Sequence, residues 1–196
     1  MKLALRSTIL IFFLLLFVGC SQDGDIKVVN NCNTTLTGLV DNDPVKLQPG
    51  ESYTKNIYIG KKFGIIGPSE FEIEISGTAW TKKSFKTKVV VKSGQTTTYS
   101  VKDDIGALKL NNTYIKDIIE LRLKKCDETE YGESYATENK PIKPGNFFLK
   151  QLDEGCYDIF LKYGNEAIED SVKGLNISIG VVTEVNWTVG ETPPTK

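Results

Sequence analysis

The feature that most constrains the fold is a period-two alternation of apolar and polar side chains. In the segment Phe71-Glu72-Ile73-Glu74-Ile75 every second residue is apolar, and Tyr157-Asp158-Ile159-Phe160-Leu161 has the same phase 86 residues later. Such alternation is typical of strands with one buried face. Similar short segments, separated by glycine, proline and asparagine turns, predict strands at 25–30, 34–40, 51–59, 71–76, 85–92, 95–102, 106–111, 117–124, 146–151, 156–163, 174–179 and 181–189. The sequence therefore predicts an all-β protein.

The two halves of the chain share an order of features that indicates a duplication. At the offset of 86 residues several further pairs match: Val89 with Leu175, Val91 with Ile177, Gly94 with Gly180, Tyr99 with Val185 and Val101 with Trp187. Upstream the offset changes but the order is kept, since Asn30-Asn31 corresponds to Asn111-Asn112 and Pro49-Gly50 to Pro144-Gly145. Loop insertions would account for the changes of offset.

The duplication predicts two tandem small antiparallel β-sandwich domains, residues 25–103 and 104–190, followed by a flexible tail at 191–196. The pattern resembles tandem immunoglobulin-like or transthyretin-like sandwiches. One stretch is ambiguous, because the apolar residues between Tyr114 and Lys125 fit both a helix face and a strand. The repeat favours the strand.

The N-terminus has the features of an export signal. Lys2 and Arg6 precede an apolar run of ten residues, 9–18, that ends in Gly19-Cys20. A membrane-spanning helix needs about 20 such residues, whereas a run of this length suits the apolar core of a secretory signal peptide. We therefore expect residues 1–19 to be a cleaved signal peptide that takes no part in the fold.

The segment Phe17-Val18-Gly19-Cys20 resembles the lipobox of bacterial lipoproteins. The resemblance implies that lipid is attached to the Cys20 sulfur, that residues 20–24 form a short lipidated tether, and that the membrane is a partner through this anchor. Ser21 after the cysteine implies sorting to the outer membrane, facing either the periplasm or the outside. The alternative is an ordinary secretory signal whose Cys20 joins a disulfide.

The three remaining cysteines would meet an oxidising compartment after export. We favour a disulfide between Cys126 and Cys156, because both lie in the predicted second domain. Cys32 is then a buried free thiol or an intermolecular link. The lack of a C-x-x-C pattern and of any histidine argues against a zinc site.

Composition argues against most catalytic chemistry. The chain has no histidine, which excludes Ser-His-Asp and Cys-His catalysis, and it has no phosphate-binding loop. A paired-carboxylate hydrolase remains an alternative. Asp41-Asn42-Asp43-Pro44 and Asp103-Asp104 offer oxygen donors, but the first is chiefly a turn sequence and no calcium-loop pattern is present. We expect no enzyme activity, no metal and no cofactor, and the net charge of −1 offers no basic patch for nucleic acid.

Three aromatic residues are candidates for a binding surface: Tyr131 and Tyr135 in a polar insertion of the second half, and Trp80 beside two lysines. The tyrosines have the alternative of folding back on the sandwich, and Trp187 alternates as a core residue. A set of lysines is predicted to guard a sheet edge, namely Lys82, Lys83, Lys86, Lys88 and Lys92. The sequence thus predicts a membrane-anchored, non-catalytic binding or structural module with an envelope protein or glycan as partner. Carbohydrate binding through the loop aromatics is the alternative.

Overall fold

The computed structural model describes residues 23–59, 70–164 and 168–188. Within these ranges the chain is all-β, as predicted, with thirteen strands and no helix long and apolar enough to cross a membrane. The strands are β1 Asp23–Asn31, β2 Leu36–Val40, β3 Asp43–Leu47, β4 Ser52–Tyr58, β5 Glu70–Ala79, β6 Lys82–Lys92, β7 Thr96–Lys102, β8 Gly106–Asn112, β9 Ile118–Lys125, β10 Phe147–Leu152, β11 Gly155–Tyr163, β12 Ile168–Ile177 and β13 Val182–Trp187. The predicted signal peptide, Cys20 and the tail lie outside the described residues.

The first domain is a sandwich of a four-stranded and a three-stranded sheet, in the orders β3-β2-β5-β6 and β4-β1-β7. Strand β1 pairs antiparallel with β4 and parallel with β7. Its alternate residues Ile26 and Val28 point between the sheets, where they are 0 % and 1 % exposed. One apolar core therefore lies between the two sheets.

The second domain repeats this topology. Its sheets have the orders β12-β11-β9 and β10-β8-β13, and β8 pairs antiparallel with β10 and parallel with β13. An isolated bridge between Ile118 and Ile142 stands where β2 pairs with β3 in the first domain. A separate core with Leu108, Leu110 and Trp187 fills this sandwich. The fold thus consists of tandem β-sandwiches.

A buried asparagine at the end of the first strand of each domain makes the same three hydrogen bonds. Asn30 and Asn112 are both 0 % exposed. In each case the side-chain oxygen accepts from the amide two residues later, and the side-chain NH₂ donates to the carbonyl four residues later and to a carbonyl across the sandwich. The partners are Cys32, Thr34 and Leu47 for Asn30, and Tyr114, Lys116 and Ile142 for Asn112. The equivalent of Asn30 is therefore Asn112, one residue later than the alignment of the asparagine pairs predicts.

The turns follow the predicted correspondences. Gly50 and Gly145 have φ of 81° and 78°, and each donates its amide to the carbonyl of the equivalent buried asparagine at 2.8 Å. Gly94 and Gly180 also have positive φ and turn the chain into the last strand of each domain. Positive φ favours glycine because a Cβ would clash with the backbone.

The predicted offset of 86 residues is wrong for the equivalent strands β5 and β11. Ile73 lies opposite Val89 and Tyr157 lies opposite Leu175, the residue equivalent to Val89. Ile73 is therefore the counterpart of Tyr157, a shift of two residues from the predicted alignment. A β-bulge in the pairing of β11 with β12 interrupts the register at this point.

Three further details differ from or complete the sequence analysis. Strand β1 begins at Asp23, which lies inside the predicted tether. Strand β3 was not predicted; it forms because the turn before it occupies only Asp41 and Asn42, with φ of 47° and 67°. Pro44 is tolerated because β3 is an edge strand. The ambiguous stretch forms strand β9.

Candidate functional site

The two domains are joined by residues 103–105 and by the hairpin between β5 and β6, whose tip lies against this linker. The Asp103 carboxylate accepts hydrogen bonds from the Thr81 hydroxyl and from the Asn33 amide, the latter at 3.1 Å. The Asp104 carboxylate pairs with the Lys82 ammonium. Burial opposes the ionisation of Asp104, but the bonds from Lys82 and from the Lys83 amide hold its pKa below the ordinary value. The linker carboxylates therefore pin the hairpin of the first domain.

The second domain also holds this hairpin directly. The Gln151 side-chain NH₂ on β10 donates to the carbonyls of Ala79 at 2.7 Å and Lys82 at 3.0 Å. The Lys83 ammonium lies 2.8 Å from the Asp153 carboxylate, which raises the pKa of Lys83. The two bonds from Gln151 reach backbone groups at the hairpin tip, so they fix its position against β10.

A cleft of about 700 Å³ opens beside this junction, and we name it the interdomain cleft. Seven of its twelve lining residues carry a hydroxyl or amide side chain, and the lining has a single lysine and no acidic residue: Asn33, Thr34, Thr35, Thr37, Lys46, Gln48, Pro49, Thr78, Ala79, Trp80, Leu149 and Gln151. Trp80 sits in the tight turn after β5 and is 44 % exposed. A large ring is thus presented beside uncharged hydrogen-bonding groups.

Part of this wall is held by its own hydrogen bonds. The Thr34 hydroxyl lies 2.9 Å from that of Thr81, and the Thr35 hydroxyl donates to the Gln48 amide oxygen at 2.9 Å. Gln151 lines the same wall, and its side-chain NH₂ is bound to the hairpin. The cleft is therefore suited to binding an uncharged polar molecule, and its lining contains no pair of groups arranged for proton transfer.

The predicted aromatic residues are not brought together. Tyr131 packs on Phe160, with ring centroids 5.8 Å apart, and burial raises its pKa. Tyr135 packs on Phe148 at 5.3 Å and stays 43 % exposed. Neither tyrosine lines the interdomain cleft, so Trp80 stands apart from both. Trp187 is 2 % exposed in the core.

The candidate carboxylates are bound by other groups of the protein: Asp103 and Asp104 hold the hairpin, as described above. Asp41 and Asp43 both bind the Lys55 ammonium, at 2.9 and 3.0 Å. The hydrogen bond from Lys55 is the main reason that the pKa of Asp43 lies below its ordinary value. Asp43 therefore stays ionised at neutral pH. Among the described residues no group of three or more histidine, cysteine or acidic side chains is placed to hold a metal.

Cysteine chemistry in the described residues is structural. Cys126 and Cys156 form a disulfide, with Cα atoms 5.4 Å apart, which is the pair that the sequence analysis favours. Cys32 is a free thiol, 2 % exposed. Burial first, and the nearby Asp103 carboxylate second, raise the pKa of Cys32 to about 12. Its thiol is therefore protonated and inert at neutral pH.

The predicted lysine edge is divided between two roles. Strand β6 is an edge strand, and on its exposed face Lys86, Lys88 and Lys92 pair with glutamates of β5 at 2.8, 3.1 and 3.1 Å. Lys82 and Lys83 instead bind the linker and the second domain. The cleft residues that sequence analysis misses, such as Gln151 and Asn33, carry no motif and meet only because the domains pack.

No protein-family model and no curated protein matches the chain. Among solved structures, the Bacillus anthracis TIE protein is similar at 9% identity and a TM-score of 0.30, and this chain covers 34% of it with 85% of its own length. GBS52, the minor pilin of Streptococcus agalactiae, is similar at 12% identity and a TM-score of 0.25, with 88% of this chain and 100% of that chain covered. The chain thus spans about a third of the first of these proteins. Similarities at these TM-scores carry no argument about function.

Proposed function

We propose that the protein is a lipid-anchored, non-catalytic binding module of the cell envelope that holds its ligand in the interdomain cleft. The observation that carries the binding role is the cleft itself, in which Trp80 and uncharged polar side chains face a space of about 700 Å³. The lipobox-like segment 17–20 supports the anchor and the envelope location, with the outer membrane as the expected destination.

The bonds at the domain junction support binding rather than a purely mechanical role. Asp103, Asp104 and Gln151 hold the hairpin that carries Trp80, so the ring is positioned before any ligand arrives. A prearranged site does not lose the ordering entropy that a mobile loop loses on binding. A protein that served only as a spacer between the membrane and a partner would need a rigid domain junction, but it would not need an exposed Trp80 ring.

A second candidate, carbohydrate binding, is favoured by the chemistry of the cleft wall. Sugars offer many hydroxyl groups and a flat face of C–H bonds, which match amide and hydroxyl side chains and a tryptophan ring respectively. The lining contains no acidic residue and a single lysine. The cleft therefore suits an uncharged or anionic saccharide better than a cationic one.

The anchor is tested by comparing the parent with Cys20→Ala in detergent phase partitioning and intact mass. We expect the parent to enter the detergent phase with fatty-acyl mass on Cys20, and the variant to stay in the aqueous phase. Cys32→Ala is the matched control, because it also removes one thiol and should partition like the parent. Equal partitioning of Cys20→Ala and parent would contradict the anchor.

The cleft is tested on a glycan array with the parent, Trp80→Ala and the double variant Tyr131→Ala, Tyr135→Ala. Loss of a sugar signal in Trp80→Ala alone supports carbohydrate binding in the cleft. Loss in the tyrosine double variant alone moves the site to the insertion and contradicts the cleft. If the parent gives no sugar signal, carbohydrate binding is rejected, and capture of an envelope protein that Trp80→Ala fails to capture then tests the binding role.

A further inference from the structure

The duplication allows one lysine to be compared in its two copies. Lys55 on β4 lies opposite Ile26, and Lys150 on β10 lies opposite Leu108, the residue equivalent to Ile26. The preceding turns are also equivalent, since Gly50 and Gly145 make the same hydrogen bond. Lys55 and Lys150 therefore occupy the same position in the two sandwiches.

In the first domain this lysine is neutralised by the protein. The Lys55 ammonium lies 2.9 Å from the Asp41 carboxylate and 3.0 Å from that of Asp43, and it also donates to the Asp41 carbonyl at 2.9 Å. The Tyr53 hydroxyl donates to Asp43 at 3.0 Å. The hydrogen bond that Lys55 donates to the Asp41 carboxylate is the main cause that raises the pKa of Lys55. Both aspartates come from the β2–β3 hairpin, whose turn thus contacts β4 of the other sheet.

In the second domain the hairpin with its aspartates is absent. Strand β9 runs into an insertion, residues 126–141, and only the bridge between Ile118 and Ile142 remains of the β3 pairing. The Lys150 ammonium lies over the Tyr135 ring, 5.0 Å from its centroid, and is ion-paired with no carboxylate of the described residues. Phe148 replaces Tyr53, so the hydroxyl donor is lost too. The second domain therefore keeps the lysine but has no equivalent of the Asp41 and Asp43 carboxylates beside it.

The position that the aspartates fill in the first domain is an open groove in the second. We name it the lysine groove; its volume is about 550 Å³ and it is lined by Tyr135, Lys140, Pro141, Ile142, Asn146, Phe147, Phe148 and Lys150. Lys140 is exposed, and its ammonium also has no carboxylate partner in the described ranges. The nearby Glu184 is already bound by Lys109 and Asn111.

The insertion that forms one wall of the groove is well fixed. The amides of Gly132 and Tyr135 donate to carbonyls of β9 at 3.1 and 2.8 Å, and Ser134 bonds to both backbone groups of Leu121. Ala136 is 0 % exposed. The groove is therefore a formed site with two ammonium groups and exposed aromatic rings, Phe147 being 51 % exposed.

We propose that the lysine groove binds an acidic peptide segment, whose carboxylates take the place that Asp41 and Asp43 take in the first domain. The internal hairpin is the template: an Asp-x-Asp turn is the chemistry that this position accepts when it is filled. The two lysines supply charge complementarity, and the rings of Tyr135 and Phe147 supply apolar contact. This site is separate from the interdomain cleft and does not depend on the proposed function.

The test uses the purified full chain and a fluorescent peptide with the sequence of residues 38–47, GLVDNDPVKL, in an anisotropy titration. A second peptide carries asparagine at both aspartate positions. We expect the acidic peptide to bind, the asparagine peptide to bind at least about tenfold more weakly, and added salt to weaken binding. Lys150→Gln and Lys140→Gln should each weaken binding by about tenfold or more, because each removes one of the two charges.

The control is Lys143→Gln, which removes the same charge from a nearby turn outside the groove and should change affinity by less than about twofold. Thermal unfolding of each variant shows whether the fold is kept, and Trp80→Ala should bind the peptide like the parent. The proposal is overturned if the acidic peptide fails to bind, if Lys150→Gln and Lys140→Gln bind it like the parent, or if an oligogalacturonate competes more tightly than the peptide.

Discussion

The buried asparagine of the second domain gives the sharpest test of how this fold is held. In Asn112→Ala three hydrogen bonds are lost, to the Tyr114 amide and to the carbonyls of Lys116 and Ile142, at 3.1, 2.9 and 2.8 Å. The Ile142 carbonyl keeps the Ile118 amide as a donor, and each buried backbone group that loses its partner costs about 1–3 kcal/mol. All three bonds lie in partly buried surroundings, so water can reach some of these groups. We therefore expect a loss of about 3–5 kcal/mol in the free energy of unfolding.

The assay is urea unfolding followed by the fluorescence of Trp187, which lies next to Asn112 in the β8–β13 pairing and is 2 % exposed. A Trp80→Phe background removes the other tryptophan. A typical domain has about 5–15 kcal/mol of stability, so the midpoint should fall strongly while the dependence on urea stays the same.

Asn111→Ala is the matched control, because Asn111 is the adjacent asparagine but bonds on the outer face to Glu184 and Asn186. We expect it to cost less than about 1 kcal/mol. A cost below about 1 kcal/mol for Asn112→Ala, or equal costs for the two variants, would refute the assignment of the three bonds as a main support of the domain.

Three further predictions concern backbone space and the cysteines. In Gly106→Ala the new Cβ would lie 2.4 Å from a methyl carbon of β12 and 2.6 Å from a carbonyl oxygen just after this strand. Thermal melts should show that the variant loses at least about 1–3 kcal/mol of stability. The control Gly132→Ala should lose almost none, because its Cβ meets only one atom, at 3.5 Å. Replacing Cys126 and Cys156 together by alanine should cost about 2–4 kcal/mol in chemical unfolding without reductant, and a parent that melts at the same temperature with and without dithiothreitol would argue against this. The thiol of Cys32 should resist iodoacetamide at pH 8 and react once the protein is unfolded in urea, because folding raises its pKa to about 12; fast alkylation of the folded protein, measured by mass spectrometry, would contradict its burial.

The stability contributed by ionised Asp43 should depend on pH in a defined direction. The hydrogen bond from Lys55 lowers the pKa of Asp43 in the folded protein. A lowered pKa means that the contribution is present above the unfolded value and is lost as the pH falls through the folded value, that is, below about 4. In Asp43→Asn the fall in stability over this acid range should be smaller than in the parent. Identical acid unfolding curves would contradict the ion pair.

Much of the fold is readable from local pattern, and the errors have a common cause. Twelve segments were expected as strands, and the one that was missed, β3, contains Pro44 next to a turn sequence, so that local preference favours a loop. The fifth strand was aligned two residues out of register, and a shift of two keeps every side chain on its own face. Alternation therefore identifies a strand but not its exact partner. The alignment of Asn30-Asn31 with Asn111-Asn112 was wrong by one residue, because the sequence does not show which asparagine of each pair is buried.

The amino-acid sequence by itself determined the all-β class, the duplication, and the glycine turns, because side-chain period and backbone freedom are local properties of the chain. It also carries the lipobox-like segment on which the anchor proposal depends. Only the tertiary structure decided which residues form a site. Gln151 contacts Ala79, 72 residues away, because packing of the domains brings distant residues together. Lys150 lacks the two carboxylate partners that Lys55 has, because an insertion replaces the hairpin that carries them. No local pattern encodes those distances.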